Sequence, residues 1–395
     1  MSTHIATALA SGHAREAADQ LVAKARQDLG GVQPQLVVVF ASTAQPLAEI
    51  VGPVADAFRD AVLIGASTAG EFTERGDAKG STSLFALAGD YRVHAGMGTG
   101  LKDAPERAVE QALEGLPKEV TGYPHRTAIL LLDPLAGNGE EATLIASSML
   151  GADVRLAGGA AGDDLHMEQT VVSAGRRAAS DAIVLAMIFS KTPLGVGASH
   201  GHRPVSQPLR VTKASGNVVR EIENRPAWDV WIEQTRARAA EQGIDVGSLK
   251  RGEEGSYLLR YEAGLAAGAD AFKIRAPLSR ADDGSISFAC GIPEGSVIRI
   301  TESVAARQIE SAREAARRAR AQLGGNKPAG AIVFDCICRN LILGDAFSTA
   351  VRGISEELGG ARVAGFETYG EIALDVGDMS GFHNTTSVVL AFPES

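Results

Sequence analysis

Val363-Ala364-Gly365-Phe366-Glu367-Thr368-Tyr369-Gly370-Glu371-Ile372-Ala373 is the stretch on which the reading of this chain turns. A small, β-branched run enters it, two glycines frame a turn, and a carboxylate follows the second glycine. Three hundred residues earlier the same design stands as Leu63-Ile64-Gly65-Ala66-Ser67-Thr68-Ala69-Gly70-Glu71-Phe72. Both read Gly-x-x-x-x-Gly-Glu. Glycine serves where the backbone takes positive φ or where another group must approach closely. A turn with two such positions can gather backbone N–H groups into an anion-binding nest, with the glutamate beside it for a cation or amino group. The plainer reading is a tight turn whose glutamate faces water. Recurrence at matched spacing favours a shared site.

Working outward, each turn belongs to a larger unit of strand, helix, strand, glycine turn and strand. The first copy runs through the apolar Gln35–Phe40, a helix opened by Pro46, a strand over 61–64, the turn, and strands over 82–87 and 91–95. The second takes Thr127–Asp133, a helix over 140–150, the drifted turn at Gly158 to Asp163, and a strand over 181–189. In that copy Asp163 stands where Glu stood. The third takes 330–334, a helix over 345–358, the opening stretch, and 386–392. Short continuous apolar runs imply strands covered on both faces. The fold class expected is α/β, with repeated strand-helix-strand-turn-strand units forming mixed sheets in two domains. The divisions expected are an N-terminal helical segment over 1–30, a first domain over 31–223 and a second over 224–395. Between copies two and three, Trp228 opens a short helix, and strand signals follow at Tyr257–Tyr261, Phe272–Arg275 and Ser285–Phe288.

The 395 residues, 45% hydrophobic and 22% charged, describe a globular, soluble chain too long for one core. A net charge of −10 opposes nucleic-acid binding as the main activity. Cys290, Cys336 and Cys338 form neither a disulfide framework nor a zinc pattern, so a reducing, cytoplasmic setting is expected. No export signal and no membrane-spanning run is evident.

Other candidates are weaker. Gly96-Met97-Gly98-Thr99-Gly100-Leu101 fails the dinucleotide fingerprint at Leu101 and reads as a flexible connector. Cys336 beside Arg339 suggests an activated thiol; two buried small hydrophobes at a strand end are the favoured alternative. Arg339 lies at the carboxyl end of a strand, where open α/β sheets bind ligands. The basic run Arg307 to Arg320 reads as a solvated helix face with Glu310–Arg313 and Glu314–Arg318 pairs. His200-Gly201-His202 offers metal or haem ligands without supporting company.

At these residues the chain resembles the FIST family, sensory domains named for F-box and intracellular signal transduction proteins. The resemblance covers nearly everything after residue 31. It rests on Phe40 and Ile64 through Glu71, on Arg203-Pro204, Val211-Thr212 and Pro226-Ala227, and on Ile292-Pro293-Glu294-Gly295. Phe334-x-Cys336-x-x-Arg339 and Val363 through Ile372 complete it. It implies an intracellular, non-enzymatic ligand-sensing module of bacterial signalling, with amino acids or similar small molecules as ligands. No kinase, cyclase or methyl-accepting output is recognisable, so a separate partner such as a histidine kinase would carry the signal. Some free-standing members are haem-based nitric-oxide sensors, which makes haem the alternative cofactor. An enzyme using Cys336 or Glu371 is the competing class. The expected ligand site gathers Ser67, Thr68, Gly70, Glu71, Arg339, Tyr369, Gly370 and Glu371 in a cleft between two halves. Arg339 would meet a ligand carboxylate and Glu371 its ammonium.

Overall fold

The computed structural model describes residues 2–250, 252–267, 272–374 and 381–395. Its first unit is β1 (His4–Ser11), α1 (Ala14–Leu29), β2 (Leu36–Ala41), α2 (Leu47–Ala57), β3 (Val62–Ser67), the hairpin β4 (Glu71–Thr73) and β5 (Gly76–Ala78), and β6 (Ser81–Ala88). The second repeats it as β7 (Tyr91–Thr99), α3 (Pro105–Leu113), β8 (His125–Leu132), α4 (Gly139–Leu150), β9 (Arg155–Ala160), β10 (Val172–Ala174), β11 (Arg177–Ala179) and β12 (Ala182–Ser190).

The third opens with β13 (Gly195–His200) and is then interrupted by an insert. The insert holds β14 (Arg203–Pro204), β15 (Leu209–Ser215), β16 (Val218–Ile222), β17 (Arg225–Pro226), α5 (Ala227–Glu241), α6 (Gly255–Arg260) and β18 (Tyr261–Ala266). It ends with β19 (Phe272–Arg275), β20 (Pro277–Arg280), β21 (Ile286–Phe288) and β22 (Val297–Glu302). The unit resumes as α7 (Ala305–Ala321), β23 (Pro328–Cys336), α8 (Ile337–Leu343), α9 (Phe347–Glu357), β24 (Arg362–Thr368), β25 (Glu371–Leu374), β26 (Phe382–His383) and β27 (Thr386–Pro393).

The fold is therefore α/β with mixed sheets built from the repeat, and the sheet order shows how the units are joined. The three sheets run β1-β6-β2-β3-β10-β11, β7-β12-β8-β9-β25-β26 and β13-β27-β23-β24-β4-β5. Each begins with its own four strands, of which the last two are parallel and the others antiparallel. Each ends with a hairpin lent by another unit. The first hairpin completes the third sheet, the second completes the first, and the third completes the second. The exchange closes a ring with pseudo-three-fold symmetry.

Side-chain alternation divides every strand between two cores. Val38 and Phe40 point inward with Leu131, Phe334 and Phe366 into one central cluster, where the Phe40 and Phe366 rings stack at 4.3 Å. Val37 and Val39 point outward under α1 and α2. The second and third sheets carry their own outer helical layers in the same way. The insert has a separate core around Trp231, Tyr257 and Phe288.

Several local expectations change. Residues 1–30 contain a strand before the helix, because β1 pairs along its length with β6. Gly96 to Thr99 form the end of edge strand β7, and only Gly100 and Leu101 lie beyond it; a Cβ at Gly96 or Gly98 would lie 2.2 or 1.7 Å from the Ala112 or Ala108 carbonyl oxygen. Glycine there lets α3 sit on the strand. Tyr257 to Arg260 is helical, with β18 starting only at Tyr261. Glu314–Arg318 forms as expected, whereas Arg313 pairs with Glu356 and Glu357 of α9. The division at residue 223 falls between β16 and β17, which pair with each other inside the insert.

Candidate functional site

The three glycine turns meet on the ring axis and hydrogen-bond cyclically. Glu367 N–H donates to Gly70 O and Ala69 N–H to Glu367 O, at 2.8 and 3.1 Å. Ala160 N–H donates to Gly370 O and Tyr369 N–H to Ala160 O, at 2.7 and 3.2 Å. Gly162 N–H donates to Ser67 O at 2.9 Å, and Ser67 N–H to Val171 O at 2.8 Å. The leading glycines are needed for packing. Gly65, Gly158 and Gly365 stand opposite Val39, Leu130 and Val333, and a Cβ would come 2.6, 1.9 and 2.2 Å from those carbonyl oxygens.

The two glutamates are held alike. Glu71 receives the Thr68 hydroxyl, the Ser81 hydroxyl at 2.8 Å and the Ser81 N–H at 3.2 Å. Glu371 receives the Thr368 hydroxyl at 2.5 Å and the Thr386 N–H at 3.0 Å. Each thus ties its own turn to the start of the closing strand. Burial raises Glu71 to about 8 and drives Glu371 well above the carboxylate range. In the second unit the register position of these glutamates is Val172, opposite Ala66. Asp133 takes over the tie, accepting from Thr170, from Leu135 N–H and from Asp181 N–H. Asp163 instead caps its own longer loop through the N–H groups of Met167, Glu168 and Gln169.

Of the eight expected ligand residues, Ser67, Thr68, Gly70, Glu71, Gly370 and Glu371 gather in this hub and are buried. Tyr369 is half-buried, and its hydroxyl joins Asp163 and Leu165 N–H. Arg339 is fully buried apart from the turns, on Asp335 at 2.7 Å, Ser311 at 2.7 Å and both side chain and backbone of Gln308. The hub therefore forms without becoming the open cleft that was expected, because the turns use these polar atoms on one another. Cys336 is 2% exposed and burial pushes its thiol far up, so it is no activated nucleophile in this state.

A second polar region lies where the insert joins the ring. His202, just after β13, and Glu262, on β18, have fully buried side chains with Nε2 and Oε2 3.4 Å apart. Neither atom has a hydrogen-bond partner among the described residues. His202 Nδ1 meets the Thr301 hydroxyl at 3.1 Å, and Thr385 donates to Glu262 Oε1 at 3.0 Å. His200 Nε2 meets Phe272 O and His383 Nε2 meets Ala373 O, both at 3.2 Å. Burial lowers His200 to about 4, His383 to about 3 and His202 well below the usual value, and raises Glu262 well above it. Burial thus disfavours the charged form of all four groups.

Beside it a cleft of about 270 Å³ opens between β13 and α7, walled by Arg307, Glu310, Glu314 and Arg317. Haem needs a broad apolar slot with an axial ligand aimed into it. This small cleft, lined by His200 and His202 but walled by four charged side chains, is not such an apolar slot and does not fit one.

A different cleft, of about 380 Å³, separates the insert from α4. At its floor lies Arg275, 2% exposed in its side chain and ion-paired with Glu140 of α4. Nothing in the sequence pointed to either residue.

Family models match this chain over residues 35–225, as FIST N domain, and 244–374, as FIST C domain. The chain belongs to the FIST family. FIST domains are sensory domains that bind small ligands in signal transduction. No curated protein matches the chain. In this FIST protein the N match runs from β2 through the start of β17, and the C match begins after α5 and ends with β25. Both therefore include parts of ring and insert. Among the described residues, no helix is long and apolar enough to cross a membrane.

Proposed function

We propose that this FIST protein is a non-catalytic cytoplasmic sensor, which binds a small molecule, with amino acids the leading class. Its signal passes to a separate signalling protein such as a histidine kinase. The observation that carries the reading is the joint between insert and ring. Two bodies with separate cores meet across a seam in which His202 Nε2 and Glu262 Oε2 face each other unbonded. Leaving buried polar atoms unpaired costs about 1–3 kcal/mol each, so the docked arrangement is locally strained. A ligand that binds one arrangement more tightly than another shifts their balance. Glu71, Glu371 and Cys336, by contrast, are buried, both carboxyls are engaged, and among the described residues no nucleophile–base–orienter set is assembled around them.

The test is a thermal-shift screen of small metabolites on the intact protein, with each hit then incubated and recovered. A stabilising ligand returned unchanged, whose addition alters binding or activity of a co-purifying signalling protein, supports the reading. Consumption of a hit beyond stoichiometric amounts overturns it in favour of an enzyme.

A further inference from the structure

We infer that the cleft between the insert and α4 is the ligand site, and that it takes a small zwitterion with an apolar body, carboxylate on Arg275 and ammonium on Glu140. This rests on the sensory reading above and gives it a place and a chemistry.

Arg275 carries the argument. A buried guanidinium normally has its fork filled by carboxylates or well-placed carbonyls. Here its contacts to Gly291 O, Ile274 O and Phe382 O are long, at 3.4, 3.3 and 3.3 Å. Among the described residues, the ion pair with Glu140 is its one short contact. Carbonyls at the limit of hydrogen-bonding range leave the fork able to accept a carboxylate, the partner its geometry matches best. Leu265, Ile292 and Pro293 line the cleft with apolar surface, while Glu140 and Glu294 add two carboxylates. One cation among two anions disfavours a simple anion. A molecule bringing both a carboxylate and an ammonium meets each charge with its opposite, and its side chain meets the apolar wall. Apolar walls with a few convergent charges, at a junction of two bodies, are the usual form of a small-molecule site.

The placement also supplies the coupling. Every lining residue named belongs to the insert except Glu140, which belongs to the ring. A zwitterion seated between Arg275 and Glu140 replaces their direct contact with one through itself, which changes how the insert meets the ring.

The test is calorimetric titration of the full chain with L-leucine, L-valine and L-proline as probes. Matched analogues of leucine are 4-methylpentanoate, which lacks the ammonium, and 3-methylbutylamine, which lacks the carboxylate. At least one amino acid is expected to bind, with its analogues weaker by about tenfold or more, the usual scale for losing a charge-assisted contact. Glu140→Gln should weaken the amino acid by a similar factor while leaving 4-methylpentanoate unchanged or tighter. Leu265→Trp, which fills the cleft from an insert strand, should abolish binding with the melting temperature retained; it stands in for Arg275 variants, which risk misfolding. Absence of binding by all three amino acids at millimolar concentration overturns the ligand class. Binding indifferent to both substitutions overturns the site. Neither result touches the sensory reading, which fails only if a bound molecule is turned over.

Discussion

Glu71 and Glu371 at the axial hub and Glu262 at the insert seam are the same kind of buried side chain, held in opposite ways. At the hub, Glu71 and Glu371 have both oxygens engaged, by a threonine three residues earlier and by an N–H at the start of the next strand. At the seam, Glu262 has Thr385 on one oxygen and only the unbonded His202 nitrogen before the other. A buried carboxyl with every contact made fastens a fold. A buried pair left facing one another marks where two bodies meet and where their relation can change.

The sharpest way to break this contrast is at the hub. Glu371→Ala leaves the Thr386 N–H buried without its acceptor and the Thr368 hydroxyl with only a long contact to Asp335 O, at 3.4 Å. At about 1–3 kcal/mol for each orphaned group, plus the cavity, a loss of about 4 kcal/mol is expected in urea unfolding. Glu371→Gln should cost about 1 kcal/mol, because burial already disfavours the charged carboxylate and the amide oxygen can still accept one of the two bonds. Equal losses for both would show that charge, not the tie, matters there.

Next comes Gly365→Ala, which sets a methyl 2.2 Å from the Val333 carbonyl oxygen. Overpacking of this kind costs about 1–3 kcal/mol, read from the same denaturation curves. A wild-type midpoint would remove close packing as the reason for this glycine.

The seam should show itself in acid. Its three histidines have folded values below the ordinary 6.5, two of them at about 4 and about 3. Their contribution is in force above pH 6.5 and is lost as the pH falls through 4. The hub works in the other direction. Glu71 and Glu367, raised to about 8 and about 9, contribute fully below the ordinary 4.5 and lose that contribution as the pH rises through 9. Melting should therefore fall on both sides of a broad optimum. His200→Phe should flatten the acid limb and leave the alkaline one; a change confined to the alkaline limb would refute the assignment. The smallest effect is chemical. Iodoacetamide at pH 7.5 should label Cys338, which is half-buried, before Cys336 and Cys290, read by mass spectrometry of peptides.

The repeat was legible because β2, β8 and β23 are short apolar runs that only a doubly covered strand explains. The exchange of hairpins was not, since Glu71 to Ala78 has the same sequence whichever sheet receives it. Nor was the role of Gly96 and Gly98, which is visible only once α3 lies across them. Arg339 was noticed for its place at a strand end. Its partner Asp335, four residues earlier, fills the fork that a ligand was expected to use. Arg275 and Glu140 stand 135 residues apart, one of them in a region outside the repeat, so no local spacing joins them. The recurring glutamates were read as a recurring site; they recur because each unit needs the same fastening.

The cyclic exchange also dictates an order of events during synthesis. The first hairpin leaves the ribosome with no edge to join, since its acceptor β24 follows far later; the Val363 N–H that bonds Glu74 is 289 residues away. The first sheet must wait for Val172 to Ala179 and the second for Glu371 to His383. Only the third sheet is complete when its own four strands are, because the hairpin lent to it is made first. Until the last hairpin is made, the nascent chain carries open strand edges, which invite pairing with neighbours. Shielding of those edges, by a chaperone or by rapid provisional packing, is what this architecture asks of the cell that makes it.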